Sequence, residues 1–105
     1  MVFVELPLFT RYASFTDEEL LAVQVTLLRN PAAGALIPGG RGLRKLRAGQ
    51  GGRGKRGGAR VIYYWWRPRS RCYLVFAYPK TAQADLTRRQ LRELAAVMDE
   101  EVGNG

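Results

Sequence analysis

Arginine and lysine are the residues most able to do chemistry in this chain, and they are concentrated in its middle. Between Asn30 and Ala84 there are twelve Lys or Arg and no Asp or Glu, whereas all nine acidic residues lie outside that window. The net charge is +8. A cationic stretch of this kind predicts a face that binds a polyanion, with nucleic acid as the first candidate.

Several kinds of catalytic site are excluded by composition alone. The chain contains no histidine, so imidazole catalysis and Ser-His triads are ruled out. The single cysteine, Cys72, can form neither an internal disulfide nor a metal site by itself, and we expect it to be a small buried hydrophobic residue. We therefore expect neither a metal nor a cofactor.

If the polyanion is RNA, the residue types present suit one reaction. Cleavage without metal proceeds by attack of a 2′-hydroxyl on the adjacent phosphate, and it needs a base, cations for the pentavalent phosphorane, and an acid for the leaving 5′-oxygen. Arginine suits the phosphate because it is permanently charged and binds it in a bidentate way. Lysine is the only basic residue here whose pKa can fall toward neutrality. The proton-transfer candidates are thus Lys55 and Lys80, with Tyr78 or Asp85 able to assist, and the charge-stabilising set is Arg60 with Arg47, Arg53 and Arg56.

The pattern of apolar residues predicts an α+β fold in one domain, residues 1–105. A short N-terminal strand (2–6) precedes a brief helix (8–15), and Thr16 to Glu19 form a capping box that begins a second helix. Strands follow at 42–47, 60–67 and 71–78, and an amphipathic C-terminal helix begins near a second capping box at Thr87. We expect an antiparallel sheet of about four strands, the N-terminal one and three central ones, packed against the N-terminal helices and the C-terminal helix.

The two central strands at 60–67 and 71–78 are expected to form a hairpin. If Arg67 pairs with Cys72, then Arg60 falls opposite Pro79, and Arg60 and Lys80 come together at the open end of the hairpin. A slip of one residue would exchange the two faces of the sheet.

The glycine-rich segment between the strands matches two phosphate-binding patterns in part. Residues 49–54 satisfy G-x-G-x-x-G, and 49–55 satisfy the start of a P-loop. Both motifs need a following helix, whereas here a strand follows, and Arg56 stands where a P-loop has Ser or Thr. Nucleotide binding is therefore disfavoured. The segment is either a flexible loop with solvated charges or a loose RNA-binding segment, and the aromatic run 63–66 is either core or, in part, a platform for stacked bases.

Apolar runs in the chain are all shorter than the ~18 residues that a membrane span needs. The N-terminus has an early Glu5 and no basic region before it, so we do not expect a signal peptide. With a single cysteine, the sequence favours a cytoplasmic protein without a membrane partner.

Three segments together resemble the RelE/HigB toxins of bacterial type II toxin–antitoxin systems. They are Gly42-Leu43-Arg44-Lys45-Leu46-Arg47, then Gly54-Lys55-Arg56-Gly57-Gly58-Ala59-Arg60-Val61-Ile62-Tyr63-Tyr64, and Tyr78-Pro79-Lys80. The resemblance covers essentially the whole chain. It implies a small α+β fold and an endoribonuclease, or mRNA interferase, that cuts mRNA in the ribosomal A site and inhibits translation. It also implies a cognate antitoxin as partner, which in the HigB branch is often a helix-turn-helix protein.

The resemblance carries over to individual residues. Arg60 matches the family's arginine that contacts the scissile phosphate, and Lys80 matches the basic position at the end of the last strand. Thr81 and Thr87 stand where well-studied RelE members have an arginine and a tyrosine, which leaves the general base open. We predict the catalytic residues Arg60, Lys80 and Lys55, and an RNA-binding set made of Arg44, Lys45, Arg47, Arg53, Arg56 and Tyr78.

Two alternatives to a ribosome-dependent endonuclease remain at the level of sequence. One is a non-catalytic inhibitor that binds RNA or the ribosome through the same cationic face. The other is a ParE-like gyrase poison, because that branch shares the fold and lacks the nuclease site. The density of cations around Arg60 and Lys80 favours RNA over gyrase.

Overall fold

The computed structural model describes residues 1–51 and 58–104, which form five strands and three helices. Arg53, Lys55 and Arg56, which were assigned to the site from sequence, lie outside the described residues. The elements in chain order are β1 (Val2–Glu5), α1 (Pro7–Tyr12), α2 (Asp17–Arg29), β2 (Ala35–Leu36), β3 (Leu43–Ala48), β4 (Ala59–Trp66), β5 (Arg71–Pro79) and α3 (Arg88–Asn104).

The strands form one mixed sheet in the order β1-β5-β4-β3-β2. The α+β class is confirmed, but the expectation of an antiparallel sheet of about four strands is wrong in two respects. The two-residue β2 adds a fifth strand, and β1 runs parallel to β5. Short connections make β3, β4 and β5 antiparallel, whereas no hairpin joins β1 to β5, so a turn does not dictate its direction.

The sheet is covered on both faces, and each face has its own hydrophobic cluster. On one face, α1 and α2 contribute Phe9, Val23 and Leu27, which pack against Val61 and Tyr63 of β4. On the other face, α3 packs over residues of β3, β4 and β5; its buried side chains are Leu94, Ala95 and Met98, which belong to the predicted amphipathic stripe. The central strands are therefore buried on both sides, and this explains their nearly continuous apolar sequence.

Both predicted capping boxes are confirmed. The Thr16 hydroxyl accepts a hydrogen bond from the Glu19 amide at 3.1 Å, while the Glu19 carboxylate accepts from the Thr16 amide at 2.9 Å. At α3, Thr87 and Gln90 make the same reciprocal pair at 3.1 and 3.0 Å. Each pair satisfies two backbone groups of the N-terminal turn, so local sequence is enough to begin both helices. Helix α3 then continues past Gly103 and ends at Asn104.

The register of the β4–β5 hairpin differs from the predicted one. Arg60 lies opposite Tyr78, not Pro79, and Cys72 pairs with Trp65, not with Arg67. Residues 67–70 form a turn of 3-10 helix that ends at a left-handed Ser70 (φ 49°), which sets the closed end. A bulge then inserts one extra residue on β5 beside Ile62, which shifts the open end by one position.

Three further apolar residues differ in how far they are buried. Cys72 is fully buried, as expected, and burial raises the pKa of its thiol to about 12. Leu36 is 59% exposed, because it belongs to the edge strand β2. Ile37, next to it, packs partly against the α3 face of the sheet.

Candidate nucleic-acid interface

A row of three polar side chains crosses the sheet at one end of its α3 face. The strand register places Arg47 of β3 opposite Arg60 of β4, and Arg60 opposite Tyr78 of β5. One step further along the face, Lys45 lies opposite Ile62. Since alternate residues of a strand share a face, the predicted cations Lys45, Arg47 and Arg60 come together.

Arg60 is the buried charge of this row. Its exposed fraction is 6%, and it is the one charged residue buried in the part of the chain that the structure describes. Its guanidinium donates a hydrogen bond to the Ala59 carbonyl at 3.3 Å. None of the ion pairs in residues 1–51 and 58–104 includes it. A guanidinium has five N–H donors, and burying one without a carboxylate is costly. Arg60 is therefore a buried cation with donors left for an acceptor from outside the described residues.

Arg47 increases the positive potential at this site. It is exposed, and it directly faces Arg60 across the β3–β4 pair. Like charges in directly opposed positions of a sheet destabilise it. An anion bound between the two guanidinium groups would remove that repulsion.

Tyr78 lies on the other side of Arg60 and is only 3% exposed. Its hydroxyl is buried and has no hydrogen-bond partner within the described part of the chain. Burial raises the pKa of Tyr78, the Asp85 carboxylate raises it further, and Arg60 lowers it. Tyr78 therefore stays neutral, packs beside Arg60 and has little surface with which to contact RNA in this conformation.

An acidic residue also reaches this face from the segment between β5 and α3. The Asp85 carboxylate forms an ion pair with Lys45, with Nζ and Oδ1 3.1 Å apart, and the same oxygen accepts the Leu86 amide at 3.0 Å. The hydrogen bond from Lys45 lowers the pKa of Asp85, and the charge of Arg60 adds to that effect. Sequence reasoning considered Asp85 only as a possible assistant, because Lys45 is forty positions away.

Lys80 comes directly after β5, at the end of the sheet where Arg60 lies. Its backbone N–H donates to the Gly58 carbonyl at 3.0 Å, so the β4–β5 pairing continues one residue past Pro79. In this register Lys80 is opposite Gly58, and Arg60 is its diagonal neighbour, for which ~7–8 Å separates the backbones. Arg60 and Lys80 therefore lie at the same open end of the hairpin, although the register differs from the predicted one. Lys80 itself is exposed.

Arg44 does not join the other cations. It faces Tyr63 on the α1–α2 side of the sheet, and its guanidinium donates to the Gly34 carbonyl at 2.8 Å and to the Ala32 carbonyl at 3.4 Å. The Tyr63 hydroxyl binds the same segment through the Gly34 amide at 2.9 Å. In this structure Arg44 holds the segment between α2 and β2 in place.

A groove of about 430 Å³ lies beside this row, where β5 extends beyond the end of β1. Leu8 and Tyr12 of α1 form one wall, Leu94 of α3 forms another, and Phe76 forms the floor with Tyr78. The lining is largely apolar and lacks cations, so it is suited to a protein side chain and not to a phosphate.

Two further properties of the part of the chain that the structure describes concern metal ions and membranes. Residues 1–51 and 58–104 contain no group of three or more His, Cys, Asp or Glu that could hold a metal ion. Within the same ranges, none of the helices has the length and apolar character needed to cross a bilayer.

Comparison with protein families now adds an independent finding. The family model for the RelE toxin of the RelE/RelB toxin–antitoxin system matches residues 5–102. The chain belongs to the RelE toxin family. The match includes the whole cationic face, from Lys45 to Asp85, together with all three helices except the last two residues of α3. RelE membership makes the chain a toxin of a toxin–antitoxin system, with an antitoxin as its partner.

Proposed function

We propose that this RelE toxin is a ribosome-dependent mRNA endonuclease, an mRNA interferase of the HigB-like branch, which cuts mRNA in the ribosomal A site and so inhibits translation. Its proposed partners are mRNA on the ribosome and a cognate antitoxin of the helix-turn-helix type, and its proposed location is the cytoplasm. The observation that carries the proposal is the buried guanidinium of Arg60, with which none of the carboxylates of the described residues forms an ion pair.

Arg60 has the chemistry required to bind the scissile phosphate. Its donors are held at the end of a rigid central strand, and the low local dielectric strengthens their attraction for an anion. The charge on phosphate oxygens grows as the 2′-oxygen attacks, so a fixed cation stabilises the transition state more than the ground state. Arg47, directly opposite, supplies a second charge to the same phosphate.

Lys80 is the proposed acid for the leaving group. Its exposed ammonium lies diagonal to Arg60 and could donate a proton to the 5′-oxygen as the P–O5′ bond breaks. On sequence grounds, Lys55 is proposed for proton transfer, and Arg53 and Arg56 for RNA binding. Lys45 and Arg47 extend the RNA-binding surface along β3.

The proposal can be tested by primer extension on a reporter mRNA after the toxin is induced. We expect cuts in phase with codons that disappear when the reporter cannot be translated. Arg60→Ala and Lys80→Ala should abolish both the cuts and growth inhibition while antitoxin binding is retained. The matched controls are Arg41→Ala and Arg69→Ala, because Arg41 pairs with Asp99 and Arg69 lies over the Trp66 ring, away from the row.

Other results would point to a different function. Intact mRNA with stalled translation would replace the endonuclease by a non-catalytic ribosome-binding inhibitor. Induction of DNA damage signalling without mRNA cleavage would indicate a gyrase poison. Full toxicity of both Arg60→Ala and Lys80→Ala would overturn the assignment of the site.

A further inference from the structure

We propose that Asp85 is the general base of this RelE toxin: its carboxylate, held by Lys45, takes the proton from the attacking 2′-hydroxyl. The inference rests on the proposed endonuclease function and names the group that the reaction still lacks. The family positions occupied here by Thr81 and Thr87 provide no base, and the chain contains no histidine.

The placement of Asp85 follows from its ion pair with β3. Lys45 is opposite Ile62, which lies two residues along β4 from Arg60, so Lys45 and Arg60 are diagonal neighbours on one face. The 3.1 Å contact from Lys45 Nζ to Asp85 Oδ1 therefore brings the carboxylate to the edge of the phosphate site. In RNA the 2′-hydroxyl attacks the phosphate on the adjacent 3′-oxygen of the same ribose, so the base and the cation must lie near each other. The charge of Arg60 acts on Asp85 in this structure.

The carboxylate is oriented by contacts on one oxygen. Oδ1 accepts both the Lys45 ammonium and the Leu86 amide, whereas the hydrogen bonds made by the described residues leave Oδ2 without a partner. The backbone is held as well, because the Gln83 side chain donates to the Asp85 carbonyl at 2.8 Å and also binds Gln90 of α3 at 2.9 Å. Oδ2 is thus the atom that can accept a proton.

The charges around Asp85 are compatible with this role. Lys45 from β3, Arg60 from β4 and Tyr78 from β5 face it. The two cations keep the carboxylate ionised and offset its repulsion of the substrate phosphate. The lowered pKa of Asp85 keeps the carboxylate ionised throughout the neutral range and also makes it a weaker base, so its contribution depends on its position beside the phosphate site.

The proposed step forms one bond to phosphorus, breaks one and moves two protons. The 2′-hydroxyl proton moves to Asp85 Oδ2, the O2′–P bond forms, the P–O5′ bond breaks, and the Lys80 ammonium protonates the departing 5′-oxygen. The products are a 2′,3′-cyclic phosphate and a 5′-hydroxyl. Exchange of protons with water returns Asp85 to the carboxylate and Lys80 to the ammonium.

The test is the single-turnover rate of mRNA cleavage on programmed bacterial ribosomes, measured together with toxin binding to the same ribosomes. Asp85→Asn preserves shape and keeps an oxygen for the Leu86 amide but cannot act as the base. We expect its cleavage rate to fall about 100-fold or more, with unchanged ribosome binding, thermal unfolding and antitoxin binding. Asp85→Glu should recover part of the rate. The matched control is Asp99→Asn. It removes a different exposed carboxylate, whose Oδ2 lies 2.9 Å from the guanidinium of Arg41, and this variant should cleave at the wild-type rate.

Each alternative outcome is informative. Cleavage by Asp85→Asn at the wild-type rate would overturn the assignment of the base while leaving the endonuclease function intact. Faster cleavage would identify the carboxylate as an inhibitory occupant of the anion site, and an equal loss of binding and cleavage would make it a binding residue; both overturn the proposal. Absence of cleavage by the wild-type toxin would overturn the proposed function itself, and this assignment with it.

Discussion

Arg47 and Arg60 face each other directly across the β3–β4 pair, and neither takes part in an ion pair with an acidic residue of the described chain. Arg60 is buried and Arg47 is exposed. This arrangement costs stability through both desolvation and like-charge repulsion. The proposed function accounts for this costly pair of cations at the end of the sheet, because a bound phosphate would remove the cost.

The first prediction concerns this trade-off between stability and function. Arg60→Met keeps the length of the side chain and removes the charge, so the free energy of unfolding should rise by about 1 kcal/mol while cleavage and toxicity are lost. Thermal unfolding and primer extension provide the two measurements. Arg44→Met is the matched control: it removes the hydrogen bonds to Gly34 and Ala32, and it should lower the free energy of unfolding by roughly 1–2 kcal/mol without affecting cleavage. A large loss of stability in Arg60→Met would show that Arg60 is a structural residue.

The second prediction concerns the buried hydroxyl of Tyr78. Since this hydroxyl has no partner among the described residues, Tyr78→Phe should raise the free energy of unfolding by about 1 kcal/mol, which corresponds to about 4–8 °C in Tm for a domain of this size. The ring, which packs beside Phe76, would be kept. Tyr63→Phe is the contrasting variant, because its hydroxyl binds Gly34 and Pro31 and its removal should be destabilising. A lower Tm for Tyr78→Phe would mean that the hydroxyl has a partner in solution.

The third prediction concerns Gly58, which accepts the hydrogen bond from Lys80. A methyl group at this position would overlap the Ala48 carbonyl oxygen of the neighbouring strand. Gly58→Ala should therefore separate the ends of β3 and β4, lower the free energy of unfolding by about 2–3 kcal/mol and weaken cleavage through displacement of Lys80. Gly103→Ala adds a methyl group in open space within α3 and should be neutral or slightly stabilising. Equal Tm values for Gly58→Ala and the wild type would contradict the close contact.

The fourth prediction concerns the single thiol. Cys72 is fully buried, and burial raises its pKa to about 12, so the folded toxin should contain almost no thiolate at pH 8. Because the thiolate is the reactive form, an aromatic disulfide reagent should label Cys72 only at the rate of global unfolding and should label it rapidly in denaturant. Rapid labelling of the native protein would show that β5 and its neighbours open locally.

Local features of this protein could be predicted from short stretches of sequence. Thr16 with Glu19 and Thr87 with Gln90 each lie three residues apart, and the hydrogen bonds that begin α2 and α3 involve only those residues. Four of the five strands were likewise located to within one or two residues, since their apolar pattern depends on alternation along the chain, whereas the two-residue β2 was not predicted. These predictions succeeded because the interacting groups are close along the chain.

The register and direction of the strands could be determined only from the tertiary structure. The turn at residues 67–70 pairs Trp66 with Arg71, a register that would put Arg60 opposite Ala77, and the extra residue on β5 beside Ile62 moves β5 by one position so that Arg60 pairs with Tyr78. Nothing in the local sequence marks that bulge, because it arises from the twist and packing of the whole sheet between its helices. The direction of β1 was also decided at this level, since no short turn connects it to β5.

The positions of the cations also fall into two groups, those that the sequence predicted and those that only the tertiary structure shows. The sequence by itself determined that Arg44 and Lys45 point to opposite faces of one strand and that the middle of the chain is cationic. Only the tertiary structure decided which face carries the anion site, because α1 and α2 cover the side of Arg44 and leave Lys45 next to Arg60. It also brought Asp85 to Lys45 across forty residues. Contacts at that separation depend on how the sheet and helices pack as a whole, and alternation along a single strand cannot encode them.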